Sequence, residues 1–176
     1  MRRLFIGLLI VAVAAIALMA VGSAGGKQGT TGPKTNKGQG RAAVGALFAQ
    51  LSGRNEISPT TGKRGAGDPD GRGSFTAITT DDQLCFGITV AGLTPPQAAH
   101  IHKGKKKVNG PIVVPLTPHP AEGDPGASSG CVSADPTLLA AIRKHPKNYY
   151  ANVHTSDFAG GAVRGQLFHA KPGQAR

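Results

Sequence analysis

Apolar residues recur at every second position along several short stretches of this chain. Ser74–Thr80 alternates Phe75, Ala77 and Thr79 with Ser74, Thr76 and Ile78. Gln83–Ala91 repeats the pattern after Asp81-Asp82, so the two predict a β-hairpin. Val44–Leu51 predicts a strand before it, and Ala98–His102, Ile112–Leu116, Tyr149–Thr155 and Ala162–Phe168 predict strands after it. Helical spacing stands out at one place. Leu138, Leu139 and Ile142 share a face, Asp135 is placed to cap, Pro136 takes the first helical position, and Lys144 and His145 precede a stop at Pro146. Short strands around one short helix predict an all-β fold, an antiparallel β-sandwich or partly open barrel.

Two stretches break the alternation. Leu4–Val21 is a continuous apolar and glycine run behind Arg2 and Arg3, and small residues follow at Gly22, Ser23 and Ala24. Residues 1–24 therefore read as a signal peptide, or as an uncleaved N-terminal anchor, since the run is long enough to span a bilayer. Residues 25–41 offer no apolar side chain larger than proline and only positive charge, which predicts a flexible basic linker. The folded domain is expected over 42–170, with 171–176 as a tail. Export places the domain in an oxidising compartment, where Cys85 and Cys131 are expected to pair. Closing the long loop between them removes about 4 kcal/mol of unfolded-state entropy.

Parity also sorts the polar residues. In Ala98–His102, Ala99 and Ile101 face one way and His100 and His102 the other; in Tyr149–Thr155, Tyr149, Ala151 and Val153 oppose Tyr150, Asn152 and His154. In Ala162–Phe168, Val163, Gly165 and Leu167 oppose Arg164 and Gln166. Keeping the apolar faces together puts His154 opposite Ala162 or Arg164 and gathers a polar patch of Tyr150, Asn152, Arg164 and Gln166. His100 and His102 lie roughly 7 Å apart on one strand face, a spacing at which both rings reach one ion. With His154 they make a three-histidine cluster suited to zinc or copper, which would bind more weakly below about pH 6 as protons compete. The alternative is a set of partly exposed histidines bonded to turns, and a neighbouring Arg164 would oppose a cation.

Charge and composition narrow the classes. The chain has 176 residues, a formal net charge of +11 and an aromatic content of 5%, enough for one domain with a mostly aliphatic core and a preference for anionic partners. Lys103, Lys105, Lys106 and Lys107 form a basic turn, read either as a solvated loop or as a site for anionic polymers or lipid head groups. Export and the lack of interleaved aromatics disfavour nucleic acid. Gly126–Gly130 matches the G-x-S-x-G string of esterases, yet it reads as a Gly/Pro loop rather than a strand-to-helix elbow. Asp68-Pro-Asp70-Gly71 lacks the later ligands of a calcium loop. With no carboxylate pair on a strand, no enzymatic activity and no required cofactor is expected.

The segments AAHIHKG, NGPIVVPL, DPTLLAAI, YYANVHT and GGAVRGQLF, in that order, together with LSGRNEISP and GDPDGRGSFTAI, resemble the CHRD (chordin-type) domain of exported proteins. The resemblance implies an immunoglobulin-like β-sandwich and an extracellular binding role, with no enzymatic activity to carry over. The basic KGKKK turn departs from the family pattern, where small or polar residues are more usual. A β-sandwich with a His-x-His strand is also similar in architecture to Cu/Zn superoxide dismutase, which would need more histidines and a bridging carboxylate. The expectation is an exported, non-catalytic binding or structural module of the cell envelope or extracellular space, with an extracellular protein or anionic envelope polymer as partner. Its only membrane contact would be through an uncleaved N-terminal segment or surface charge. A zinc- or copper-binding metalloprotein, redox-active through the histidine cluster, is the rival.

Overall fold

Alternating side chains make each strand two-faced, and the antiparallel ladder lets all the apolar faces meet on one side. The computed structural model describes residues 45–121 and 124–169. Among these the strands are β1 (Leu47–Ser52), β2 (Arg72–Thr79), β3 (Gln83–Ala91), β4 (Pro96–Lys103), β5 (Ile112–Pro115), β6 (Gly126–Ser133), β7 (Tyr149–Thr155), β8 (Val163–Gln166) and β9 (Phe168–His169). They form one antiparallel sheet in the order β5-β4-β7-β8-β1-β2-β3-β6, with β9 added to β1. The sheet curls almost into a closed barrel. The chain after β5 passes from β4 to the edge strand β6: Leu116 N–H donates to Ala99 O at 2.9 Å, and Ala121 N–H to Ala127 O at 3.2 Å.

The inward faces hold Leu47, Phe75, Leu84, Ile88, Ile101, Val114, Leu139, Ile142, Val153 and Leu167, an aliphatic core with few aromatics, as the composition implies. At about 25 cal/mol per Å² of apolar surface, this burial is the main force holding the barrel shut. Helix α1 (Pro136–Lys144) contributes Leu139 and Ile142; Asp135 caps it by accepting from Leu138 N–H at 2.8 Å. Arg143 at its other end donates to Thr80 O, which anchors the helix on the β2–β3 turn.

Predicted and observed strands agree in parity throughout the β2–β3 hairpin, where Phe75 faces Ile88 and Ala77 faces Phe86. The segment read as a Gly/Pro loop is different: Gly126–Ser133 is a full strand, β6, paired with β3 from Gln83↔Ser133 to Val90↔Gly126. Its small residues give no alternating signal because the ladder and a covalent link hold it, not large side chains. Cys85 and Cys131 stand directly opposite each other and form the disulfide, 46 residues apart in sequence. The last predicted strand is divided into β8 and β9 at Leu167, whose N–H donates to Tyr149 O. The expectations for 1–24, 25–41 and 171–176, and the first residues of 42–170 with Val44, fall outside the described residues.

Candidate metal centre

Three adjacent strands build the site. β4 pairs with β7 in the register Ala98↔His154, His100↔Asn152 and His102↔Tyr150, and β7 pairs with β8 as Tyr150↔Gln166 and Asn152↔Arg164. Val153 opposite Val163 puts His154 across from Ala162, one of the two positions expected. The outward face of this half of the barrel therefore carries His100, His102, His154, Tyr150, Asn152, Arg164 and Gln166 together. The inward face keeps Ala99, Ile101, Ala151, Val153 and Gly165. Gly165 has to be glycine, since a Cβ would lie 2.2 Å from Gln50 O where β8 crosses β1.

The imidazoles converge. Ring centroids are 5.1 Å apart for His100 and His154, 5.8 Å for His100 and His102, and 6.2 Å for His102 and His154. One ring nitrogen of each lies within 4.8 Å of the others. His102 Nδ1 is 2.8 Å from Gly110 O and His154 Nδ1 is 2.9 Å from Ala159 O. A carbonyl only accepts, so both Nδ1 atoms carry the proton and both Nε2 atoms present a lone pair. The buried ring nitrogens left without a partner are His102 Nε2, His154 Nε2 and His100 Nδ1. Such orphaned atoms cost free energy unless something fills the place between them.

His100 and His102 are held toward the neutral form. Burial, reinforced by the charges His154 and His102 would carry, pushes His100 down to about 4. Burial also lowers His102, opposed by the Gly110 carbonyl and aided by His154 and Arg164. Arg164 does not sit in the cluster: its guanidinium lies 4.0 Å over the Tyr150 ring, and the same ring stacks on His102 at 4.8 Å. The aromatic ring thus stands between the cation and the imidazoles.

Loops lock these side chains from above. Arg164 donates to Asn109 Oδ1 at 2.8 Å and Val108 O at 3.1 Å, Gly110 N–H to the Tyr150 hydroxyl at 3.3 Å, and Gln166 to Gly104 O at 2.7 Å. The basic turn is thereby clamped onto the sheet instead of standing free in solvent. Lys106 and Lys107 line a cavity beside Arg164, whereas Lys103 ends β4 and Lys105 is exposed. Glu56 had no signal in the hydrophobic pattern. It is buried, accepts from Asn152 Nδ2 at 2.5 Å, and burial pushes it up to about 8 against the pull of Arg164, Asn152 and the Ile57 backbone. Gly161, with φ 131°, lets the chain pass over this pair, where a Cβ would come 2.7 Å from both Asn152 Nδ2 and Glu56 Oε1.

The CHRD domain profile matches residues 47–167, which takes in every strand and loop just described up to β8. The chain belongs to the CHRD family. No curated protein matches it closely enough to transfer a role. The CHRD domain is a small β domain of extracellular type, and the Cys85–Cys131 disulfide fits that setting.

Proposed function

We propose that this CHRD domain is an exported, non-catalytic binding module that takes up one zinc or copper ion between His100 Nδ1, His102 Nε2 and His154 Nε2. The observation that carries the reading is the convergence of three buried, partnerless ring nitrogens on neighbouring strands. Nitrogens around one tetrahedral ion at 2.0–2.1 Å are about 3.3 Å apart, so small ring rotations close the set. Backbone carbonyls already fix the tautomers of His102 and His154, the arrangement that orients metal-bound imidazoles. Three neutral nitrogen donors and no carboxylate suit zinc and copper over calcium or magnesium, and leave a fourth position for water or a partner's side chain. Export rests on the basic start and apolar run of residues 1–24, and envelope attachment on the surplus of positive charge.

The test is a titration of the metal-free exported chain with Zn²⁺ and Cu²⁺, alongside a His100→Ala/His154→Ala variant. The reading predicts saturation near one equivalent, Cu²⁺ tighter than Zn²⁺ as its higher affinity for nitrogen donors requires, and at least about a hundredfold loss in the variant. Binding should weaken below about pH 6, where protons compete for the ring nitrogens. Weak binding that is identical in both proteins contradicts the reading.

A further inference from the structure

Next to the histidine cluster, beyond the Tyr150 ring, lies a cavity of about 190 Å³ lined by Asn55, Arg64, Lys106, Lys107, Arg164 and Gln166. Its four cations come from three separate parts of the chain, and no carboxylate lines it. We infer that this cavity is a binding site for a single phosphate- or sulfate-class oxyanion, free or carried on a polymer.

Three observations argue for a built site. Arg164 is 3% exposed and, among the described residues, forms no ion pair; its hydrogen bonds go to the neutral Asn109 and Val108 oxygens. A buried guanidinium without a counter-charge is costly, and two of its five N–H donors are spent on those oxygens. Glu56, the nearest compensating carboxyl, is itself pushed up to about 8 by burial and is mostly uncharged at neutral pH. The second observation is that Asn55 ties the other arginine to the strand that carries the first. Arg64 donates to Asn55 Oδ1, and Asn55 Nδ2 donates to the Arg164 backbone carbonyl at 3.2 Å.

The third is the shape of the basic turn. Lys107 has φ 69°, a left-handed conformation that is unfavourable for a side chain of this kind, and the turn is pinned on both sides of it. Asn109 Nδ2 donates to Ile57 O at 2.9 Å, and Gln166 holds Gly104. Lys106 and Lys107 are thereby kept near two arginines, a repulsive arrangement that an anion relieves. Arginine forks match the paired oxygens of an oxyanion, with the lysines adding point charge. The cavity is smaller than the pockets that enclose drug-sized ligands, which limits the guest to one such group.

The experiment titrates the full exported chain, in metal-free buffer of low ionic strength, with inorganic phosphate in one arm and polyphosphate in the other. Calorimetry reads affinity and near-ultraviolet circular dichroism reports the fold of each variant. Saturation near one phosphate group per site is expected, weakened at least about tenfold in Arg64→Gln/Lys107→Gln and unchanged in Lys144→Gln. His154→Ala should retain it, which separates this site from the metal centre whatever becomes of that reading. Tight polyphosphate binding with slight orthophosphate binding assigns the group to a polymer, and the converse to the free ion, provided the double variant loses either. Binding that does not saturate, or that falls equally in Lys144→Gln and the double variant, overturns the inference and leaves only diffuse attraction to the positive chain.

Discussion

β3 and β7 are both central strands of the same sheet, and they differ in what covers their outer faces. Along β3 the side chains alternate between buried and more open positions; it presents Thr89 to solvent, and its neighbours present Thr76, Ala127 and Ser129. Along β7 every residue but His154 is buried, on both faces. Period-two alternation is the same in each; the difference comes from the loops at 104–110 and 156–161, which fold over β7 and bond to its outward histidine, tyrosine and neighbours. A polar strand face becomes a site when loops desolvate it, and stays a surface when they do not. The β3 side carries the covalent link and the β7 side carries the histidine cluster.

The largest effect should come from the β3 side. Cys85→Ser/Cys131→Ser removes the constraint on a 46-residue separation and should cost about 4 kcal/mol in urea unfolding. The histidine cluster in the folded fraction should survive, since β4 and β7 do not touch the disulfide. Loss of the β4–β7–β8 arrangement in that variant would break the division between the halves.

The β7 side should dominate the pH dependence of the metal-free protein. Glu56 has a folded value of about 8 against 4.5, so the folded state binds the extra proton, and its contribution to stability is full below 4.5 and lost as pH rises toward 8. His100 has a folded value of about 4 against 6.5, so its contribution is present above 6.5 and lost as pH falls toward 4. Between 4.5 and 6.5 the two slopes cancel, so thermal unfolding followed across pH should show a plateau of highest stability there and fall on either side. Glu56→Gln should flatten the alkaline side and His100→Ala the acid side. A profile unchanged by both substitutions would remove these groups from the account.

A smaller effect separates loop from loop. Asn109 is exposed, yet it accepts from Arg164 and donates to Ile57 O, so Asn109→Ala should cost about 1–3 kcal/mol and weaken metal binding by loosening Gly110 behind His102. Thr76→Val on the uncovered face should stay within about 0.5 kcal/mol. Equal costs in denaturant unfolding would mean that the 104–110 loop is no more built in than any exposed surface.

What could be read in the chain followed the same division. Parity placed His100, His102 and His154 on one face because each has an apolar neighbour that must turn inward, and the capped helix announced itself through Asp135 and Pro136. The disulfide followed from two cysteines and the expectation of export. β6 escaped notice because Gly126, Ser128 and Gly130 face inward without bulk, and no periodicity marks a strand secured by its neighbour. Glu56 and Asn109 escaped for another reason: their partners lie far away in sequence, Asn152 for Glu56 and Arg164 for Asn109, and loop residues that meet across such distances leave no local pattern. The KGKKK run was legible as charge, while its attachment to Tyr150, Arg164 and Gln166 was not.

The most direct measurement is a crystal structure of the zinc-loaded protein with diffraction recorded at the zinc edge. One anomalous peak should stand about 2.0–2.1 Å from His100 Nδ1, His102 Nε2 and His154 Nε2, with His102 Nδ1 and His154 Nδ1 still bonded to the Gly110 and Ala159 carbonyls. Zinc bound elsewhere on the chain, or three histidines that remain apart at saturating zinc, would contradict it.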